Sequence, residues 1–286
     1  MMFRATYRNT IKNIFRSVTV WLLLFVVLIV CVQNVSGGTY GYFDMTYMET
    51  IMDTDPRFVL GEGTFNKHIT NSFNAVILYA IPIFCVIITV LILNRDYGDR
   101  FFELEKASGV KPLAYVCARL SALVTVGWAV TVLANLVTLH LYVYTRGGVS
   151  GMELGTYLTA SNLGLLRIAL VRGLPTVLLY TCMTYALGAL FKSGIAAAVG
   201  GLGYALFCYA AKLLFSYKAA EIGLEWVFDW VHPSQQKLLE YLYCYGTEWA
   251  NPNTTLAEAA LCVSLLLVCS LIFAAASYLR VGRRTV

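Results

Sequence analysis

Between two long apolar runs the chain carries a short, highly charged segment, Asn94 to Pro112. Its residue types suit protein docking rather than bond chemistry. Phe101, Phe102 and Leu104 offer apolar contact area, and Glu103, Glu105 and Lys106 offer charges that a partner can match. Asp99 suits a helix start, because its carboxylate accepts hydrogen bonds from backbone N–H groups that lack a partner in the first turn. Gly109 followed by Pro112 suits a helix stop: glycine enters the left-handed turn without steric cost, and proline cannot continue the ladder. The spacing predicts a helix of about two turns between them, held at a membrane face by its flanking spans. Phe101, Phe102, Glu103, Leu104, Glu105 and Lys106 are the candidate docking residues.

Catalytic chemistry is missing from the sequence. There is no GxxxxGK[ST] phosphate loop and no HExxH zinc motif. His68, His140 and His232 are scattered, each better read as incidental than as a ligand. Gly200, Gly201 and Gly203 lie inside an apolar run with no strand before them, so they are not a dinucleotide fingerprint. Carboxylates fall almost entirely in loops, with Glu258 at one end of the last apolar run the nearest exception. A proton relay would bury one deeper. The chain is therefore expected to carry no catalytic residue, no metal, no cofactor and no energy source of its own.

Hydrophobic residues make up 59% of the 286 and charged residues 13%, against about a quarter charged in soluble domains. This is the composition of a membrane protein. Apolar runs long enough to cross a bilayer (about 20 residues) fall at 18–36, 73–93, 112–142, 163–191, 194–216 and 256–279. The expected architecture is an all-α membrane protein of six spans forming one domain, 1–286. The net charge of +5 gathers at membrane flanks and is not a nucleic-acid signal. Arg4, Arg8, Lys12 and Arg16 precede the first span, Arg95, Arg100, Lys106 and Lys111 follow the second, and Arg280, Arg283 and Arg284 follow the sixth. The other long loops lean acidic. The positive-inside rule then places both termini and the 94–112 loop in the cytoplasm.

Of the eight cysteines only Cys244 lies in an outer loop. No disulfide framework is expected, and the rest read as small buried hydrophobes. The first run is too long, and lacks the small-residue cleavage site, for a removed signal peptide. The Asn34 and Asn253 glycosylation patterns match too often by chance to carry weight.

Several elements must position the docking loop. In segment 1–17, Arg4, Arg8, Lys12 and Arg16 recur every four residues, one stripe of a helix. Phe3, Tyr7, Ile11, Ile14, Phe15 and Val18 supply an apolar stripe. A basic amphipathic helix in the inner interface follows, either a plain anchor or an elbow that also contacts a cytosolic partner. Arg167 and Arg172 precede Gly173 and Pro175 in the fourth span. They read as snorkelling at the outer interface, ahead of a break at Gly173–Pro175, in preference to facing a polar cavity. The fifth span carries a small-residue face from Ser193 to Gly203, suited to close helix approach within one subunit or between two. In segment 217–255, Ile222, Trp226 and Trp230 are four apart beside Glu221, Glu225 and Asp229, and His232-Pro233 breaks the pattern. Tyr241, Tyr243 and Tyr245 continue it. Two short amphipathic helices with an outer aromatic rim are expected, re-entrant if protein shields them.

This layout resembles the permease subunit of type-two ATP-binding-cassette exporters along essentially the whole chain. The nearest motif match is Arg95-Asp96, then Glu103-Leu104-Glu105, then Ala107-Ser108-Gly109-Val110. Asp96 replaces the family's usual glutamate and Gly109 its common proline. The resemblance implies that the 94–112 loop is a cytoplasmic coupling helix, docking through Phe101 to Lys106 on a separate cytosolic ATPase that binds ATP and Mg, with the N-terminal helix touching the same subunit. It further implies a second permease chain, identical or paralogous, an amphipathic cargo such as a peptide, lipid or drug-like molecule, and a place in the cell membrane. Two other classes compete. One is a membrane receptor or assembly factor docking another protein through the same loop. The other is a membrane-embedded enzyme, which would need clustered His, Asp or Ser at one membrane face.

Overall fold

A computed structural model describes residues 2–40, 76–98, 107, 109–147, 169–215, 218–219, 221–233, 235, 238 and 255–282. Among these no strand occurs, and the all-α expectation holds. The helices are α1 (Met2–Phe15), α2 (Val18–Tyr40), α3 (Ile81–Gly98), α4 (Pro112–Gly147), α5 (Leu174–Phe191), α6 (Gly194–Phe215) and α7 (Leu256–Gly282). One π turn, Val76–Ala80, leads into α3, and another, Ala169–Gly173, leads into α5. Among the described residues five helical spans are long and apolar enough to cross a membrane, and the count is six if the bent pair α1–α2 is one span.

The bend is 67° and has a local cause. The α1 ladder ends at Ser17, whose N–H bonds Ile14 O at 3.1 Å, and Ser17 O then accepts from Val20 N at 3.1 Å to start α2. Trp21 donates its indole N–H to Phe15 O at 2.9 Å, satisfying a carbonyl that the ended helix leaves open.

The helix α5 is the centre, packed among α3, α4, α6 and α7. Its span is 72% buried, whereas those of α6 and α7 are 22% buried. Ile195, Val199 and Phe207 on α6 and Leu271 and Ile272 on α7 present their side chains outward. On a membrane span such apolar outer faces suit lipid. Inside, hydroxyls bond their own helix one turn back: Thr89 to Cys85 O at 2.7 Å, Thr131 to Gly127 O at 2.8 Å and Ser270 to Leu266 O at 2.7 Å. This satisfies polar groups where no water is available.

Several sequence expectations change here. α3 runs on through Gly98, so the first five residues of the 94–112 loop are helical. The helix stop survives: Gly109 has φ 83° and α4 starts at Pro112. Arg172 does not snorkel. Its side chain is fully buried, because the π turn passes straight into α5 with Gly173 in right-handed helical geometry. Pro175 sits in the first turn of α5, where a missing N–H costs nothing, so the expected break does not form. A side chain on Gly173 would meet Thr131 Cγ2 at 2.8 Å, which shows how closely α4 covers this turn. Arg167 lies outside the described residues.

The small-residue face of α6 serves the interior of this chain at some positions and not at others. A Cβ on Gly201 would sit 2.8 Å from Thr184 Oγ1 and 2.9 Å from Val86, whereas Gly203 has nothing within 4 Å among the described residues. Gly201→Leu is therefore expected to destabilise by about 1–3 kcal/mol through overpacking, while Gly203→Leu leaves the melting temperature of the purified chain nearly unchanged. Equal losses for the two variants in a thermal-unfolding assay would contradict this packing.

Candidate functional site

The candidate docking residues Phe101, Phe102, Glu103, Leu104, Glu105 and Lys106, and the cap candidate Asp99, lie outside the described residues. Both ends of their loop are described, and a buried charge pair joins them. Asp96 stands in the last turns of α3, and Arg119 stands two turns into α4. Their side chains meet at 2.7 Å, with 4% and 1% exposure. Arg119 also donates from Nη1 to Thr10 Oγ1 of α1 at 2.7 Å. Its guanidinium carbon lies 5.1 Å from the ring centroid of Tyr115, one turn earlier on α4. One arginine thus ties together the elbow helix and the two helices that frame the docking loop.

Sequence reasoning placed Asp96 in the loop and did not single out Arg119 or Thr10. The signal was there. A lone arginine inside the apolar run 112–142 must find a partner, and the preceding span ends on a carboxylate. Burial of the pair follows from the helical continuation of α3 to Gly98, which turns Asp96 inward while Asn94 and Arg95 stay exposed.

The elbow's expected apolar stripe divides: Ile14 is buried and Tyr7 and Ile11 are half-buried against the bundle, whereas its other members stay exposed. Thr6, Thr10 and Ile14, each four residues on from the last, are buried, while Phe3, Phe15 and Val18 are exposed. α1 lies mainly along α4, where Tyr7 donates to Thr125 Oγ1 at 3.1 Å. Arg4, Arg8, Lys12 and Arg16 are all exposed as expected. Three stripes therefore divide the helix: hydroxyls toward α4, cations outward, and phenylalanines outward on the remaining face.

At the other end the described part of the segment before α7 holds the first of the two expected helical pieces, and the second lies outside the described residues apart from Leu238, which is helical. Residues 221–223 form a turn, and one short helical piece ends in the π turn Val227–Val231. Trp226 is exposed and Trp230 half-buried, while Phe228 is the buried anchor. The break at His232 holds: its backbone turns extended, and its ring Nε2 donates to Cys208 O of α6 at 2.9 Å. Gln235, also buried, donates from Nε2 to Cys262 O of α7 at 2.7 Å and to Trp230 O at 3.0 Å. Cys208 is seven residues before the end of α6 and Cys262 six residues after the start of α7. At 1.5 Å per residue the segment reaches back about 10 Å along both helices. His232 is thus structural. Tyr241, Tyr243 and Tyr245 lie outside the described residues. Thr255 and Glu258 form a capping box at the start of α7: Glu258 Oε2 accepts from Thr255 N at 2.6 Å, and Glu258 N donates to Thr255 Oγ1 at 3.3 Å.

An all-α polytopic protein, with an interfacial elbow and a charged loop between its second and third spans, belongs to the class of membrane transport subunits. The chain is a member of the ABC-2 family transporter proteins, whose family model matches residues 46–279, and is an ABC-2 type permease subunit. Neither the curated proteins nor the solved structures contain a match to the chain.

The charge pair makes a stability prediction. Arg119→Met alone leaves Asp96 buried without its cation and should cost about 3–5 kcal/mol. Asp96→Leu together with Arg119→Met removes both charges and should recover most of that loss. Thermal unfolding in detergent measures both. A double variant no more stable than the single one would show that the pair is not what holds this corner.

Proposed function

We propose that this chain is the permease of an ATP-driven exporter. It forms the substrate path with a second permease chain and couples to a separate cytosolic ATPase through residues 101–106. The observation that supports this reading is the Arg119–Asp96–Thr10 cluster at the base of the docking loop. Because Asp96 and Arg119 join α3 to α4 at the base of the loop, a displacement delivered there moves the two helices together. The third partner, α1, moves with them.

In this reading ATP and Mg bind the ATPase, and no reaction step occurs on the permease. ATP binding favours one arrangement of the two ATPase subunits. Differential contacts at Phe101, Phe102, Leu104 and the flanking charges carry that bias into the spans. The positive flanks place both termini and the loop on the cytoplasmic side of the plasma membrane. The aromatic outer rim, with Trp226 exposed and Trp230 half-buried, suits an amphipathic cargo such as a peptide, a lipid or a drug-like molecule.

Replacing Phe101 and Phe102 together by Ala should weaken ATPase docking by about tenfold or more, as for truncated aromatic hot spots. Transport should be lost while the ATPase keeps its basal turnover. Transport in reconstituted vesicles, measured beside ATP hydrolysis, decides the matter. Unchanged coupling in the double variant would remove the docking role. A wild-type chain that purifies under mild detergent without any ATPase would favour the receptor or assembly-factor reading instead.

A further inference from the structure

A notch of about 240 Å³ opens where the elbow meets the end of α3. Its polar rim is made by Asn13 and Ser17 from the elbow and by Asn94 and Arg95 from α3. Its floor is apolar, with Ile14 and Ile92 both nearly fully buried. Arg95 is exposed and makes no hydrogen bond or ion pair among the described residues. Among the described residues no carboxylate lines the notch, and Asp96, next to Arg95 in sequence, is held on Arg119. Lys12 and Arg16, both exposed, neighbour the rim residues Asn13 and Ser17 in sequence. The notch lies beside the 67° bend between α1 and α2, and the reading of α1 as a basic interfacial helix, on which this inference rests, puts it at the depth of phospholipid headgroups.

We infer that this notch binds the phosphate of an anionic phospholipid headgroup, with Arg95 as the charged donor and Asn13, Ser17 and Asn94 as neutral ones. Ile14 and Ile92 receive the glycerol and the first methylenes. The chemistry fits a lipid better than a free anion. One wall is apolar, and a single guanidinium with three neutral groups is a weak trap for inorganic phosphate in water but a sufficient one for a phosphate already concentrated in the membrane surface. The notch lies between α1 and α3, and Thr10 and Asp96, on those same helices, hold Arg119. A bound headgroup therefore braces the angle that the buried pair defines.

The test uses the full-length chain extracted from vesicles of equal phosphatidylglycerol and phosphatidylcholine, with retained lipid counted by native mass spectrometry. Phosphatidylglycerol should be enriched at least about fivefold, the factor that one basic residue supplies near an anionic surface. Arg95→Gln should abolish the enrichment, Arg95→Lys should keep most of it, and Asn13→Leu, which fills the rim without touching the charge, should lower it as well. Arg8→Gln, outside the notch, should leave it intact. No enrichment in the wild type would overturn the assignment. So would a loss as large for Arg8→Gln as for Arg95→Gln, which would mean only diffuse attraction to the basic helix. Displacement of the lipid by millimolar inorganic phosphate would overturn the lipid in favour of a free anion.

Discussion

A guanidinium and a carboxylate shut away from water constrain the whole inner corner of this protein. Either charge alone in an apolar interior is costly enough that the structure must bring its partner to it. Asp96 can meet Arg119 only if the ends of α3 and α4 lie side by side. The second donor of Arg119 can be satisfied only if α1 folds down until Thr10 touches it. The locally formed bend after Phe15 and the helical continuation of α3 to Gly98 are both compatible with this requirement, since they bring Thr10 and Asp96 to the same guanidinium. Arg119 is also the largest of the fully buried side chains near this face, so the packing of its aliphatic stem adds to the constraint.

The two ends of the bundle solve the problem of buried polarity differently. The end near α1 uses an ion pair with a hydroxyl. The opposite end uses neutral side chains on backbone carbonyls, His232 on α6 and Gln235 on α7. A charge pair is sensitive to small displacements, since attraction in a low-dielectric setting changes steeply with distance. An amide on a carbonyl changes less. The end that carries the 94–112 segment is thus built from the stiffer contact, and the end pinned by His232 and Gln235 from the milder one. Between them α5 is enclosed by four neighbours, while α6 and α7 present apolar faces outward.

Much of this was legible from residue order. Hydropathy marked the spans because in a membrane only helices satisfy every backbone group, so composition and length translate directly into elements. Gly109 with Pro112 marked a helix stop for a reason that is local to the backbone, and Gly109 takes the left-handed conformation that a stop requires. The elbow was visible as a four-residue recurrence of cations. The apolar stripe of the elbow was legible as well, with Ile14 buried and Phe3, Phe15 and Val18 exposed as an interfacial face requires. What residue order did not show is that Thr6 and Thr10 pack on α4, where Arg119 donates to the Thr10 hydroxyl. Arg172 looked like a surface residue beside a break, yet Gly173 and Pro175 are compatible with continued helix, and α4 closes over the turn.

Fold class, span order and the location of the charged loop follow from this chain read alone, since each rests on local periodicity or on the cost of placing a group in lipid. Which side of each helix faces a neighbour, and which buried charges find one another, depends on contacts between separate helices, 23 positions apart for Asp96 with Arg119 and 109 for Thr10 with Arg119. Periodicity states that a helix has faces. It does not state what those faces meet, and the free energy of a buried polar side chain is set by what it meets.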